Sequence, residues 1–266
     1  MTKNTIVEVQ NEDRYNIRVL DRAFRILALL SDGKPRSLQE LSVEIDLSSS
    51  TTFRQLATLV YYRYVQRDEQ TNQYTLGLSC LELARAYYEG NDLRRVALPE
   101  LERLRNETKE TIHLGILDQT ELVYIEKLQG LHPIGLMSSR VGGRSPAYCT
   151  GVGKVLLAYE DPQIVKQYFV KRKLHRYTDN TITSLAALVS ELASIRSQGY
   201  ALDCGEHESQ VYCVAAPIFD MKGAVIAGLS ISGPADRMES IEINQKLIKR
   251  AKQTANNISI KLGYAT

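Results

Sequence analysis

The chain has 266 residues, 44% of them hydrophobic and 24% charged, with a formal net charge of +2. That length accommodates two domains with substantial cores, and the near-neutral balance excludes a polycation that holds nucleic acid by bulk charge alone. No apolar run approaches the ~18 residues of a membrane-spanning helix and no secretory leader is visible, so a soluble, cytoplasmic protein without a membrane partner is expected.

Residues 1–13 are polar and are expected to be disordered. A helix is predicted from about Val19 to Ser31, with Leu20, Phe24, Ile26, Leu27 and Leu30 as its apolar set and Gly33 and Pro35 ending it. Residues 37–77 then read as two helices, a tight turn between them, and a short hairpin. Leu38, Leu41 and Ile45 share one helical face, and Ser37 with Glu40 makes a capping box. The second helix is predicted to start at Ser48 or Ser49, with Leu56, Leu59 and Val60 inward. Its N-terminal side carries Ser49, Ser50, Thr51, Thr52, Arg54 and Gln55. Hydroxyls suit phosphates, and Arg and Gln can pair with guanine and adenine edges.

From Leu47 to Arg67 there is no acidic residue, while Arg54, Arg63 and Arg67 are present. Val65 and Gln66 lead into the turn Asp68-Glu69-Gln70-Thr71-Asn72, and Tyr74, Leu76 and Leu78 alternate on the way out. Together these elements have the layout of a winged helix-turn-helix, which sets one helix in the DNA major groove. An amphipathic helix pair in any all-α domain would show part of the same pattern. Residues 1–90 carry 11 basic against 12 acidic side chains, so affinity for DNA must come from local placement. Such binding is expected to be salt-sensitive and to need a multimer.

Helices are predicted from about Ser79 to Glu89 and onward to Thr108, with Gly90-Asn91-Asp92 between them. The pattern then changes. Thr111 to Leu117 and Leu122 to Leu128 read as strands, and Ile134 to Ser139 as a third. Helices are predicted near Gly151 to Tyr159, Pro162 to Phe169 and Ser184 to Gln198. Strands follow at Val211 to Phe219 and Val225 to Ser232, and a last helix from Ser240 to Leu262. This mixture predicts an α+β domain with an antiparallel sheet.

Thr150-Gly151-Val152-Gly153-Lys154 invites a phosphate-loop reading, but Tyr148 and Val155 stand where that loop needs Gly and Ser or Thr. Two readings remain, a plain capped turn and a helix N-terminus whose N–H groups bind a small anion such as a carboxylate. Cys80, Cys149, Cys204 and Cys213 lack Cys-x-x-Cys spacing, and His113, His132, His175 and His207 are dispersed, so reduced thiols and no metal are expected. Cys213 with His207 could be imagined as nucleophile and base, but no catalytic pattern surrounds them. Cys213 lies in an apolar strand, where a buried small hydrophobe is the plainer role.

The chain resembles the IclR family of bacterial transcriptional regulators from about Val19 to Tyr264. The resemblance is carried by VLDRAFRILALL, SSSTTFRQLATL and YTLG in the first part. In the second part it is carried by ETIHLGILD, LVYIEK, SRVGGRSPAYCTGVGKVLLA, GYALD, CVAAPIFD and IAGLSISGP. The effector half is most similar to the sugar-acid-responsive members. The resemblance implies a winged helix-turn-helix, a helical linker and a GAF-like effector domain. It also implies homodimers or homotetramers on palindromic operators. Family pocket positions that hold small carboxylates correspond to Met137, Ser145, Gly151, Val152, Asp203, Val211, Cys213, Ser230 and Ser232. In such a pocket Gly151 and Val152 would offer N–H donors to a carboxylate. Asp203, Ser230 and Ser232 would bond hydroxyl or keto groups, with Met137 and Val211 as an apolar wall. Ser49, Phe53 and Arg63 depart from the family pattern, leaving the operator open. Asp203-Cys204-Gly205-Glu206, Ser209-Gln210 and Ser145 depart too, leaving the effector open, and Ser145 points to a more polar ligand than a bare two- or three-carbon acid.

The expectation is therefore a DNA-binding region over 14–78, a helical linker over 79–108 and an effector-binding region over 109–266. Arg54 and Gln55 are expected to read bases, beside Ser49, Ser50, Thr51 and Thr52 on the backbone. The partners expected are an operator in double-stranded DNA and a small carboxylate effector, with repression as the sense and no cofactor. The competing reading is a cytoplasmic enzyme acting on a small organic acid, with an N-terminal interaction module. A third is a scaffold that binds no ligand.

Overall fold

The computed structural model describes residues 17–90, 92–132, 137–170, 173–238 and 240–265. The polar leader at 1–13, and residues 134–136 of the strand expected at 134–139, lie outside the described residues. The chain divides into two units at Gly90.

The first unit follows from its helical periodicity. α1 (Arg18–Leu30), α2 (Leu38–Glu44) and α3 (Ser49–Tyr61) turn Ile26, Leu30, Leu41, Ile45, Leu56 and Leu59 onto one core. The Ser37 hydroxyl accepts from the Glu40 N–H while the Glu40 carboxylate accepts from the Ser37 N–H at 2.7 Å, completing the expected capping box. Ser48 caps α3. After α3 the chain reverses at Arg63, whose φ of +60° lies in the left-handed region. β2 (Val65–Arg67) and β3 (Gln73–Leu76) form the predicted hairpin. A short strand not foreseen, β1 (Arg36–Ser37), pairs with β3 and gives the order β1-β3-β2. In α1, Leu20 and Phe24 are exposed, contrary to the apolar set read from the sequence; only Ile26 and Leu30 of that set are fully buried. α4 (Ser79–Glu89) closes the unit and buries no residue.

The second unit opens with α5 (Asp92–Thr108), so the stretch read as a linker contains the break between units. A six-stranded antiparallel sheet follows, built from β4 (Thr111–Asp118), β5 (Glu121–Leu128), β6 (Arg144–Pro146), β7 (Ala201–Cys204), β8 (Val211–Phe219) and β9 (Val225–Pro234). Its order is β6-β5-β4-β9-β8-β7. β6 and β7 were missed because three- and four-residue strands beside Gly-rich turns carry too little alternation. Residues 137–139 of the expected third strand are not strand.

Alternation along each strand serves two cores. Ala215 faces a core shared with α6 (Gly151–Tyr159), α7 (Pro162–Val170) and α8 (Leu185–Gln198). Its neighbours Val214 and Ala216 face the opposite core, shared with α5 and α10 (Ile241–Lys261). A four-residue helix, α9 (Ala235–Met238), links β9 to α10. The arrangement is the α+β architecture expected from the sequence. Glu100 of α5, almost wholly buried, takes Lys261 of α10 at 2.6 Å and so ties the two helices of that layer together.

Candidate functional site

Two places carry the residues singled out from the sequence. The first is α3. At about 100° per residue, Thr52, Gln55, Leu56 and Leu59 fall on one stripe, and all four are buried. The Thr52 hydroxyl donates to the Ser48 carbonyl at 3.1 Å. Thr52 and Gln55 are therefore corrections to the expected contact set: both face the unit's own core. Ser49, Ser50 and Arg54 are exposed, as is Phe53, which residue chemistry alone did not nominate. Thr51 is half-buried and its hydroxyl is 2.9 Å from that of Ser48. The outward face of the N-terminal half of α3 is thus Ser49, Ser50, Phe53 and Arg54, with no acidic residue on the helix. At the wing tip the Asp68 carboxylate accepts from the N–H groups of Gln70 and Thr71 at 2.8 and 3.0 Å. Those bonds hold its pKa below the ordinary aspartate value.

The second place is a small cavity, about 40 Å³, between the sheet and the start of α6. Register explains why these residues meet. Asp203 of β7 pairs with Cys213 of β8, which pairs with Ser232 of β9. Ser230, two residues before Ser232 and on the same face, pairs with His113 of β4. One face of the sheet is thereby a polar floor across four strands. α6 lies over it, since a Cβ on Gly151 would stand 3.2 Å from the Cβ of Cys213 and 3.7 Å from that of Asp203. Glycine at 151 lets the helix start approach the strands that closely. The first turn of a helix leaves its N–H groups without intrahelical partners, and no side-chain cap from Thr150 covers them. They carry the positive end of the helix dipole.

Met137, Gly151, Val152, Asp203, Val211, Cys213, Ser230 and Ser232 of the expected set all line this cavity. Ser145 does not; it stands on edge strand β6 and hydrogen-bonds the Tyr124 side chain, which is itself a wall of the cavity. The sequence reading did not place His113, Tyr124, Ser139 or Glu208 in a ligand site, and it named His207 only as a conceivable base for Cys213. Their partners lie up to 119 positions away in the chain, beyond any spacing argument. The one available signal was a histidine in the apolar strand HLGILD.

Burial dominates the electrostatics of the groups on the cavity floor. Burial, with the Glu206 charge adding and the Glu206 N–H opposing, pushes the Asp203 carboxyl up to about 7. Burial, then Lys127, pushes His113 down to about 3, so its imidazole is neutral. Burial raises the Cys213 thiol well above its ordinary value, so no thiolate is available as a nucleophile. His207 is lowered, also by burial, and its ring packs on Tyr177 with centroids 4.7 Å apart.

Lys154, one turn into α6, turns away from the cavity. Its ammonium is engaged by Glu206 and by Glu191 at 3.0 Å. Burial works against that charge, but the two carboxylates outweigh it and hold its pKa above the ordinary lysine value. Thr150–Lys154 is therefore not a phosphate loop. Among the described residues no group of three or more His, Cys, Asp or Glu side chains is placed to hold a metal ion. No described helix is long and apolar enough to cross a membrane.

A family model described as the bacterial transcriptional regulator IclR C-terminal region matches residues 85–260, and one for the IclR helix-turn-helix domain matches residues 19–69. The chain is 40% identical over 243 residues to the HTH-type transcriptional regulator KdgR of Escherichia coli (strain K12), covering 91% of this chain and 92% of that protein. It is 34% identical over 248 residues to the HTH-type transcriptional repressor AllR of Klebsiella pneumoniae, covering 92% and 90%. Among solved structures it is similar to an IclR homolog of Microbacterium hydrocarbonoxydans complexed with 4-hydroxybenzoate. That match has a TM-score of 0.81, 28% identity, and coverage of 92% of this chain and 98% of the other.

Proposed function

The chain belongs to the IclR family of bacterial transcriptional regulators and is a DNA-binding regulator, and from that premise we propose how its two sites work. The exposed face of α3 reads the operator, Arg54 through base edges and Ser49 and Ser50 through phosphates, with Phe53 against a thymine methyl or sugar. The cavity holds a small organic acid. The observation that carries this reading is the pairing of two environments in one space: open N–H groups at the start of α6 beside Asp203, and a floor of neutral hydroxyls at Ser230 and Ser232. The first suits a carboxylate and the second suits hydroxyl or keto groups, the composition of a sugar acid or keto acid. The complex of a homologue with 4-hydroxybenzoate supports an organic-acid ligand, and the relative named as a repressor supports repression.

The protein acts in the cytoplasm as a homodimer or homotetramer, and ligand shifts the population of DNA-competent arrangements. It performs no catalysis; the relatives are named as regulators, and the raised Cys213 thiol suits a wall rather than a nucleophile. The test is a mobility-shift assay on DNA upstream of its own gene and neighbouring genes, at two salt concentrations, with a panel of sugar and keto acids. A specific, salt-sensitive shift altered by one acid is the expected result. A shift that no acid changes would remove the effector assignment, and turnover of a bound acid would restore the enzyme reading.

A further inference from the structure

We propose that the cavity takes up its acid together with one proton, that Asp203 holds this proton, and that the site is thereby selective for ligands with a single carboxylate. The proposal rests on the effector reading of the cavity and adds to it the charge class of the ligand and a linkage to pH.

The observation behind it is the charge of the lining. The described residues around the cavity include two acids, Asp203 and Glu208, and no lysine or arginine. The ammonium groups of the surrounding elements are engaged elsewhere: Glu206 and Glu191 hold Lys154, and Lys127 donates to the carbonyls of Met137 and Ser139. His113 is neutral, with Nδ1 3.2 Å from the Ser232 hydroxyl and Nε2 2.8 Å from that of Ser139. His207 is lowered by burial and packs on Tyr177. The start of α6 supplies roughly half an elementary charge, less than the whole charge of a ligand carboxylate.

Asp203 is buried, and a Cβ on Gly151 would stand 3.7 Å from its Cβ, so a carboxylate on the N–H groups of that first turn is its neighbour. Two carboxyl groups side by side away from solvent do not both ionise. The ligand keeps the negative charge, because the N–H donors favour it there. Oδ1 of Asp203 accepts the Glu206 N–H at 2.8 Å, which leaves Oδ2 to take the proton and donate it in a hydrogen bond to the ligand. Burial, then the Glu206 and Glu208 charges, favour the protonated form, against the Glu206 N–H and Lys154. Cys213 on β8 is a neutral thiol and Tyr124 on β5 a neutral phenol. The proton comes from solvent and the ligand enters as its anion, so the two charges cancel. A second carboxylate or a phosphate on the ligand would bring a further charge that no lining cation offsets.

The experiment is calorimetric titration of the full chain with pyruvate and D-gluconate, both monocarboxylates, and with oxalate, which matches pyruvate in size but bears a second charge. Titrations at about pH 6 and about pH 8.5, each in two buffers of different ionisation enthalpy, count the protons taken up. The wild type, Asp203→Asn and Glu208→Gln are compared, with thermal unfolding as a check on folding. For the wild type, monocarboxylate affinity should fall by roughly tenfold per pH unit above about pH 7, with uptake near one proton per ligand at the higher pH. Oxalate should bind more weakly than pyruvate by roughly tenfold or more. Asp203→Asn, a neutral stand-in for the protonated carboxyl, should bind with no pH dependence and no uptake, whereas Glu208→Gln should keep both. The uptake of the wild type decides the matter if the Asn variant does not fold. Uptake that persists in Asp203→Asn would move the proton to an imidazole and overturn the inference. Binding without uptake, or oxalate bound as tightly as pyruvate, would overturn it while sparing the effector reading. A wild type that binds neither monocarboxylate at either pH would overturn both.

Discussion

Lys154 and Glu206 meet as an ion pair sealed from solvent, one on α6 and the other in the turn after β7. The Glu206 N–H in turn donates to Asp203 at 2.8 Å. Lys154 thus fixes the strand residue and the helix start that face each other across the cavity, without touching the cavity itself.

Replacing Lys154 by Met leaves Glu206 buried without its counter-charge. The expected loss is about 3–5 kcal/mol in urea unfolding, with much of it recovered in a Lys154→Met/Glu206→Leu double variant. A loss near zero would show that the pair does not organise this region.

Asp203 makes stability depend on pH. Its folded pKa, about 7, lies above the ordinary value of 3.8. Between those values the unfolded chain has released a proton that the folded chain keeps, so the contribution of Asp203 is full below about pH 4 and is lost as pH rises to 7. The slope is roughly 1.4 kcal/mol per pH unit. Asp203→Asn removes this dependence, and its stability relative to wild type should rise across that window and level off above it. Parallel curves for the two proteins would contradict the assignment.

On α3, Arg54→Ala should weaken operator binding by ~1–3 kcal/mol and relax discrimination at one base pair. Thr52→Val should leave DNA affinity unchanged, because that hydroxyl bonds the Ser48 carbonyl inside the unit. Competition binding with operator and scrambled DNA separates the two outcomes.

Arg63 occupies a left-handed conformation that suits glycine. Arg63→Gly should stabilise the chain by about 1 kcal/mol, seen as a higher unfolding midpoint. A lower midpoint would mean that the arginine side chain contributes more than its backbone costs.

Helices and long strands were legible because their periodicity is local: α3, α6, α8, β8 and β9 follow directly from hydrophobic spacing and capping residues. The cavity was legible only in part. Gly151, Asp203 and Ser232 belong to short motifs, whereas His113, Ser139 and Glu208 acquire their roles from strand order and from a loop crossing the sheet face. On α3 the chemistry of Thr52 and Gln55 suggested contact with DNA, but helical phase decides which way a side chain points. Phase assigned them inward and brought Phe53 out.

β4 places two environments back to back. His113 faces the cavity, while its neighbours Ile112 and Leu114 share the opposite core with Leu101 and Leu104 of α5. α5 is also the first helix after the break at Gly90. A ligand touching His113 would therefore be one peptide unit from the side chains on which that helix rests. No long relay of side chains would separate such a contact from the first helix after the break.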